Sequence, residues 1–171
     1  MAKNTTKAVA PPYEPKPQEQ DLLAAARQRR RARPPSPRLK LDQRGKTKQL
    51  AVDHPHPDIG ASLLMEALGT ASLEFVNPVL SQRANTVSKG QEPDVDGLNF
   101  MLSVINGIGP RNEIEAMLAA QMAAVHVATM AFARRLNHIE NIPQQDSAER
   151  AFTKLARTFT TQMEALKRHR T

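Results

Sequence analysis

His54 and His56, with Pro55 between them, are the first residues in this chain whose type and spacing could do chemistry, because imidazole nitrogens ligate transition metals. A metal site needs more than a pair. No third histidine lies near, the chain has no cysteine, and the surrounding segment carries few apolar residues to hold a site rigid, so no metal is expected there. His126 lies inside an alanine-rich stretch, where a packed or hydrogen-bonded ring is the expectation. His138 and Glu140 sit at a helix end, and His169 belongs to a basic cluster. The glycines of the NGIGP segment, Gly107 and Gly109, lack the downstream lysine and preceding strand of a phosphate loop. Asp94, Asp96, Glu113 and Glu115 fall in the first turns of helices, where capping and the helix dipole account for them. Ser62, Ser72 and Ser103 lack the glycine context of a nucleophile elbow. No acid–base or nucleophile set assembles, so neither an enzyme nor a cofactor is expected.

The arginine-rich run is a different matter. Arg27, Arg29, Arg30, Arg31 and Arg33 are followed by Arg38, Lys40, Arg44, Lys46 and Lys48. Guanidinium and ammonium groups at this density neutralise phosphates and release counterions, which gives affinity for DNA or RNA without reading sequence. No aromatic residue interleaves with the run, so base stacking is not part of the expectation. Arg31, Pro34 and Pro37 also match an RxxPxxP pattern, which the local abundance of arginine and proline explains without a ligand. Lys154 and Arg157, further along the chain, are candidate helpers in the same phosphate contact.

Charge and composition separate this run from the rest of the chain. The net charge is +7, yet residues 1–50 hold 13 of the 24 basic and 4 of the 17 acidic residues, and the remainder is close to neutral. Seven of the 13 prolines precede Gln49. Residues 1–57 are therefore expected to be a disordered basic arm, with a short helix over Asp21–Arg33 that orders on an acidic partner, and 58–171 a helical domain. The absence of cysteine suits a reducing compartment, and a cytoplasmic location is expected.

Apolar spacing predicts the elements of the body, and no segment alternates with a strand period over a useful length. Asp58 opens a first helix through Ile59, Leu63, Leu64, Ala67 and Leu68, weakened at Gly69 and ended or kinked at Asn77-Pro78. Residues 81–93 read as a polar linker. Asp94 caps a second helix carrying Val95, Leu98, Met101, Leu102 and Ile105. Asn112 caps a long helix to about residue 140, with Ile114, Leu118, Gln121, Val125, Ala128, Phe132, Arg135 and Ile139 in one row. A last helix over about 147–170 presents Phe152, Leu155, Phe159, Met163 and Leu166 on one face and Arg150, Lys154, Arg157, Lys167, Arg168 and Arg170 on another. The fold class is all-α, with these two long helices as an antiparallel hairpin. Residues 116–133 carry no formal charge, but they are mostly alanine and include Gln121 and His126, so a soluble helix is expected over a membrane span.

The segments RNEIEAMLAAQMAAVHVATM (111–130) and DSAERAFTKLARTFTTQMEALKRHR (146–170), with EPDVDGLNFMLSVI (92–105) before them, resemble a family of bacterial proteins without an assigned activity, some near phage or mobile-element genes. The resemblance covers about the last 80 residues and implies an intracellular accessory protein with nothing catalytic. Taken together, the expected function is a nucleic-acid-associated accessory protein whose arm contacts phosphate backbone while the body self-associates into an oligomer. The alternative is a structural or adaptor protein that docks a protein partner through apolar helix faces.

Overall fold

The computed structural model describes residues 13–33, 35–44, 47–87, 94–138 and 142–171. It has two compact units, 1–34 and 35–171. In the first, helix α1 spans Pro17–Arg31, four residues earlier than the expected cap at Asp21. Pro17 suits the first helical turn because its missing N–H would have had no partner there. The Glu19 carboxylate then accepts from the Lys16 N–H at 2.8 Å and from the Tyr13 hydroxyl at 2.6 Å, which closes the helix start.

The second unit is mostly helical, as expected, but it also contains a two-stranded sheet that the sequence reading did not anticipate. Strands β1 (Leu39–Arg44) and β2 (Thr47–Val52) pair antiparallel, with Leu39 opposite Val52 and Leu41 opposite Leu50. The physical reason is long-range. Asn99 acts as a strand for the hairpin edge, its Oδ1 accepting from the Leu39 N–H at 2.8 Å and its Nδ2 donating to the Leu39 carbonyl at 3.0 Å. Leu39 is buried in the helical core. The stretch 39–52, placed in the arm by composition, is thus part of the packed body.

Helix α2 (Pro57–Ala67) starts from His56 at the N-cap position, with Asp58 in its first turn rather than capping it. It ends in a Schellman motif. Gly69 adopts φ +57°, its N–H donates to the Glu66 carbonyl, and the Thr70 N–H reaches back to the Met65 carbonyl. The single helix expected from 58 to 77 is therefore two. Ser72 opens α3 (Leu73–Val87) by accepting from the Phe75 N–H at 3.2 Å, and α3 continues through Pro78 and over part of the expected linker.

Helix α4 (Val95–Ile108) is capped by Asp94, whose carboxylate accepts from the Gly97 N–H, and is closed by Gly109 at φ +62°. Its Leu98, Met101, Leu102 and Ile105 are fully buried and form the centre of the core with Leu64, Leu68, Val76 and Val79. Helix α5 (Glu113–Leu136) is capped by Asn112, which accepts from the Glu115 N–H at 3.0 Å. Helix α6 (Ile142–Arg170) begins five residues before the expected Ser147, because Pro143 is at home in a first turn. It runs antiparallel to α5, since Arg170 at its end meets Glu115 at the start of α5.

The helical spacing of α5 marks a row, Ile114, Leu118, Gln121, Val125, Ala128, Phe132 and Arg135, of which Leu118, Val125, Ala128 and Phe132 are half-buried and none is buried. Instead Ala116, Ala119, Met122 and Ala123 are buried, while Ile114, Gln121 and Arg135 are exposed. Alanine on the inner side lets α5 approach α4 closely, and the bulkier row is displaced outward. Ile139 lies outside the described residues. Helix α5 is long and apolar enough to cross a membrane by length and composition, with 28% of its most apolar stretch buried.

Candidate nucleic-acid interface

Helix α1 carries the densest positive charge. Its side chains are exposed apart from Glu19, which is partly covered, and Arg27, Arg30 and Arg31 share a face by their spacing of three and four. Arg29, Arg30 and Arg31 form its last turn, where the negative end of the helix dipole favours cations. Arg33 follows, also exposed. Among the described residues, none of these five guanidinium groups is held in an ion pair. They are free to meet an external anion.

The second unit supplies the other candidates, and the structure divides them. Arg38 is exposed just before β1, and its backbone carbonyl accepts from the Asp53 N–H. Lys40 already has a partner, because its Nζ lies 3.1 Å from an Asp53 carboxylate oxygen. Both side chains are about half exposed, so that pair is weakly held and screened by salt. Arg44 and Lys48 take positions in β1 and β2, with side chains that are not described, and Lys46 lies outside the described residues.

Lys154 and Arg157 stand on the outer face of α6 and line a shallow depression with Arg150. Thr158 and Thr161 border it too, but their hydroxyls donate to the Lys154 and Arg157 carbonyls, one turn back along the helix. The donors left for an anion are the three cationic side chains, with Thr153 and Gln162 beside them. Arg170, counted among the basic face of α6, is instead turned inward onto Glu115 and is not part of this surface.

The histidines take structural places. His54 Nδ1 accepts from the His56 N–H at 3.0 Å and shapes the entry to α2. Its ring centroid is 6.5 Å from that of His56. His126 packs between Phe100, at 5.9 Å, and Phe159, at 6.2 Å, joining α4, α5 and α6. Among the described residues no three His, Asp or Glu side chains gather closely enough to hold a metal ion.

Sequence reasoning missed two groups. Ser72 was weighed only as a nucleophile, and it is an N-cap. Glu115 was explained by capping and the helix dipole, and it also anchors the end of α6. The first could have been found from the Ser-x-x spacing before Phe75; the second depends on a contact 55 residues away and left no local signal. Comparison of the chain with protein-family models, curated proteins and solved structures returns no match.

Proposed function

We propose that this chain is a non-enzymatic nucleic-acid-associated accessory protein, in which the basic N-terminal segment contacts the phosphate backbone and the helical body self-associates. The observation that supports it is the group Arg27, Arg29, Arg30, Arg31 and Arg33, exposed and free of ion pairs among the described residues. Five guanidinium groups within seven positions concentrate positive charge on one short segment, and closely spaced phosphates are the matching partner. Lys154, Arg157 and Arg150 give the body a second, weaker contact of the same kind.

The test is a salt series of binding to an arbitrary labelled duplex, using the full chain and a variant with all five arginines replaced by glutamine. The full chain should bind with a log–log salt slope of about −6, and the variant should lose about four or five from it. Lys154→Gln with Arg157→Gln should remove about one or two more. No binding at low salt, or equal binding by the five-arginine variant, overturns the reading. The adaptor reading is favoured by one observation only, the outward apolar row of α5.

A further inference from the structure

The outward row of α5 has a pattern of its own. Ile114, Met117, Gln121, Ala124, Ala128, Ala131 and Arg135 recur at alternating steps of three and four, the spacing of a coiled-coil seam. Ile114 is 60% exposed and Met117 48%, while Val125 and Phe132 flank the row half-buried. Between Glu115 and Arg134 the helix carries no charged side chain at all. Among the described residues, helix α5 packs on α3, α4 and α6, which leave Ile114, Met117, Gln121, Ala131 and Arg135 exposed, while Ala124 and Ala128 between them are half-buried and Ala124 reaches the edge of the core.

The ends of the row are opposite in charge. Glu113 opens it and Arg134 and Arg135 close it. The Glu113 carboxyl is held below the usual range by the hydroxyl of Thr70 and stays ionised at neutral pH. Arg135 lies over the Phe132 ring at 5.3 Å, at the edge of the same face. Two parallel copies of the row would set arginine against arginine and glutamate against glutamate. Two antiparallel copies set Arg134 and Arg135 of each against Glu113 of the other, with the helix dipoles opposed as well. Gln121 then falls opposite Ala128, where a small side chain leaves it room, and the alanines at the centre let the two backbones come close.

We infer that this face of α5 is the contact surface for a second copy of the chain, with the two α5 helices crossing antiparallel about Ala124 and Val125. The inference rests on the self-association in the function proposed above and is independent of the nucleic-acid contact. It makes the dimer isologous: Ile114 and Met117 of one copy lie over Phe132 and Arg135 of the other.

The test is sedimentation of the full chain and two double variants at exposed positions, Ile114→Lys/Met117→Lys and Ile114→Glu/Met117→Glu. Both remove the same apolar contact, but lysine is repelled by the partner's arginines and glutamate is attracted to them. The full chain should be a dimer, and the lysine variant should raise its Kd by about 100-fold. The glutamate variant should bind at least about tenfold more tightly than the lysine variant, with helix content unchanged by circular dichroism. The absence of native cysteine allows a second readout. Val125→Cys, beside the two-fold axis, should form a disulfide dimer on oxidation. Met117→Cys should not, because two copies about 12 Å from the axis on opposite sides are out of reach. A dimer that ignores these variants overturns the α5 surface and leaves self-association standing. A chain that sediments as a monomer at every concentration overturns both. Flotation with phosphatidylcholine vesicles would identify a bilayer as the occupant and sink the inference.

Discussion

The carboxylate of Glu115, at the start of α5, is gripped by the guanidinium of Arg170, the last residue of α6. Arg170 Nη2 lies 2.8 Å and Nε 3.2 Å from one Glu115 oxygen, while Nη2 also donates to the carbonyls of Ile108 and Gly109. The Arg111 N–H adds a further bond to Glu115, and His169 approaches the other oxygen at 4.0 Å. Glu115 is 2% exposed. Its neighbours therefore replace the water it has lost, and Arg170 also satisfies the carbonyls left over at the end of α4. Helix α6 makes its contacts with α5, and its buried side chains are Ala148 and Leu166, so this end tether matters more than it would for a well-buried helix.

Replacing Arg170 by methionine strands the Glu115 charge and the α4 carbonyls together. The expected loss is about 2 kcal/mol, toward the low side for a buried pair because the Arg170 side chain is 26% exposed. Thermal unfolding should shift down by roughly 4–8 °C. Glu115→Gln, which keeps an acceptor without the charge, should cost less than Arg170→Met. An unchanged melting temperature for Arg170→Met would remove the tether from the account.

The same contact predicts how stability follows pH. The hydrogen bond from Arg170, ahead of the Arg111 N–H and the charges of both arginines, lowers the Glu115 pKa below its ordinary 4.5, against the opposing effect of burial. A depressed folded-state pKa contributes stability that is fully present above 4.5 and is lost as pH falls through the lower folded value. Glu113, lowered by its bond from Thr70, acts in the same sense. Melting curves from neutral pH downward should therefore hold steady to about 4.5 and then fall. Glu115→Gln should flatten the acid limb; the same acid limb in variant and parent would show that other carboxylates govern it.

How much of this was legible depends on the range of the interactions. The caps at Asp94 and Asn112 were readable because each side chain bonds an N–H three residues on. The buried face of α4 was readable because its apolar residues are bulky and regularly spaced. The inner face of α5 was not, since its alanines carry little apolar signal beside Ile114, Val125 and Phe132. Hairpin β1–β2 alternates only through Leu39 and Leu41, then Leu50 and Val52, among charged neighbours, and the groups that fix it sit on α4. The arginine run was legible as charge, but the sequence did not show that Lys40 has a partner in Asp53 and that Arg170 turns inward.

The Asn99 link gives a local prediction. Asn99→Ala removes two hydrogen bonds to the Leu39 backbone and leaves its N–H and carbonyl unpaired beside the core. A cost of about 2 kcal/mol is expected, concentrated in the hairpin rather than the helices. Hydrogen exchange should quicken across Leu39–Val52 by about 30-fold while α4 and α5 keep their protection. Uniform acceleration through the body would mean that the hairpin and the core open together.

Two glycines in the left-handed region separate the effects of backbone and space. At Gly69 an added Cβ would stand 2.1 Å from the Pro110 carbonyl oxygen, a backbone atom that cannot swing aside. At Gly109 nothing lies within 4 Å of the same added atom. Both have φ near +60°, so both alanine variants bear the left-handed cost of roughly 1–2 kcal/mol. Only Gly69→Ala must also push the α2–α3 turn away from the Pro110 turn, disturbing the Thr70 bond to Glu113. Gly69→Ala should therefore be the more destabilising by at least about 1 kcal/mol, on the scale of core overpacking. Denaturant unfolding of the two variants side by side decides it. Equal midpoints would mean that the close approach of Gly69 to Pro110 contributes nothing.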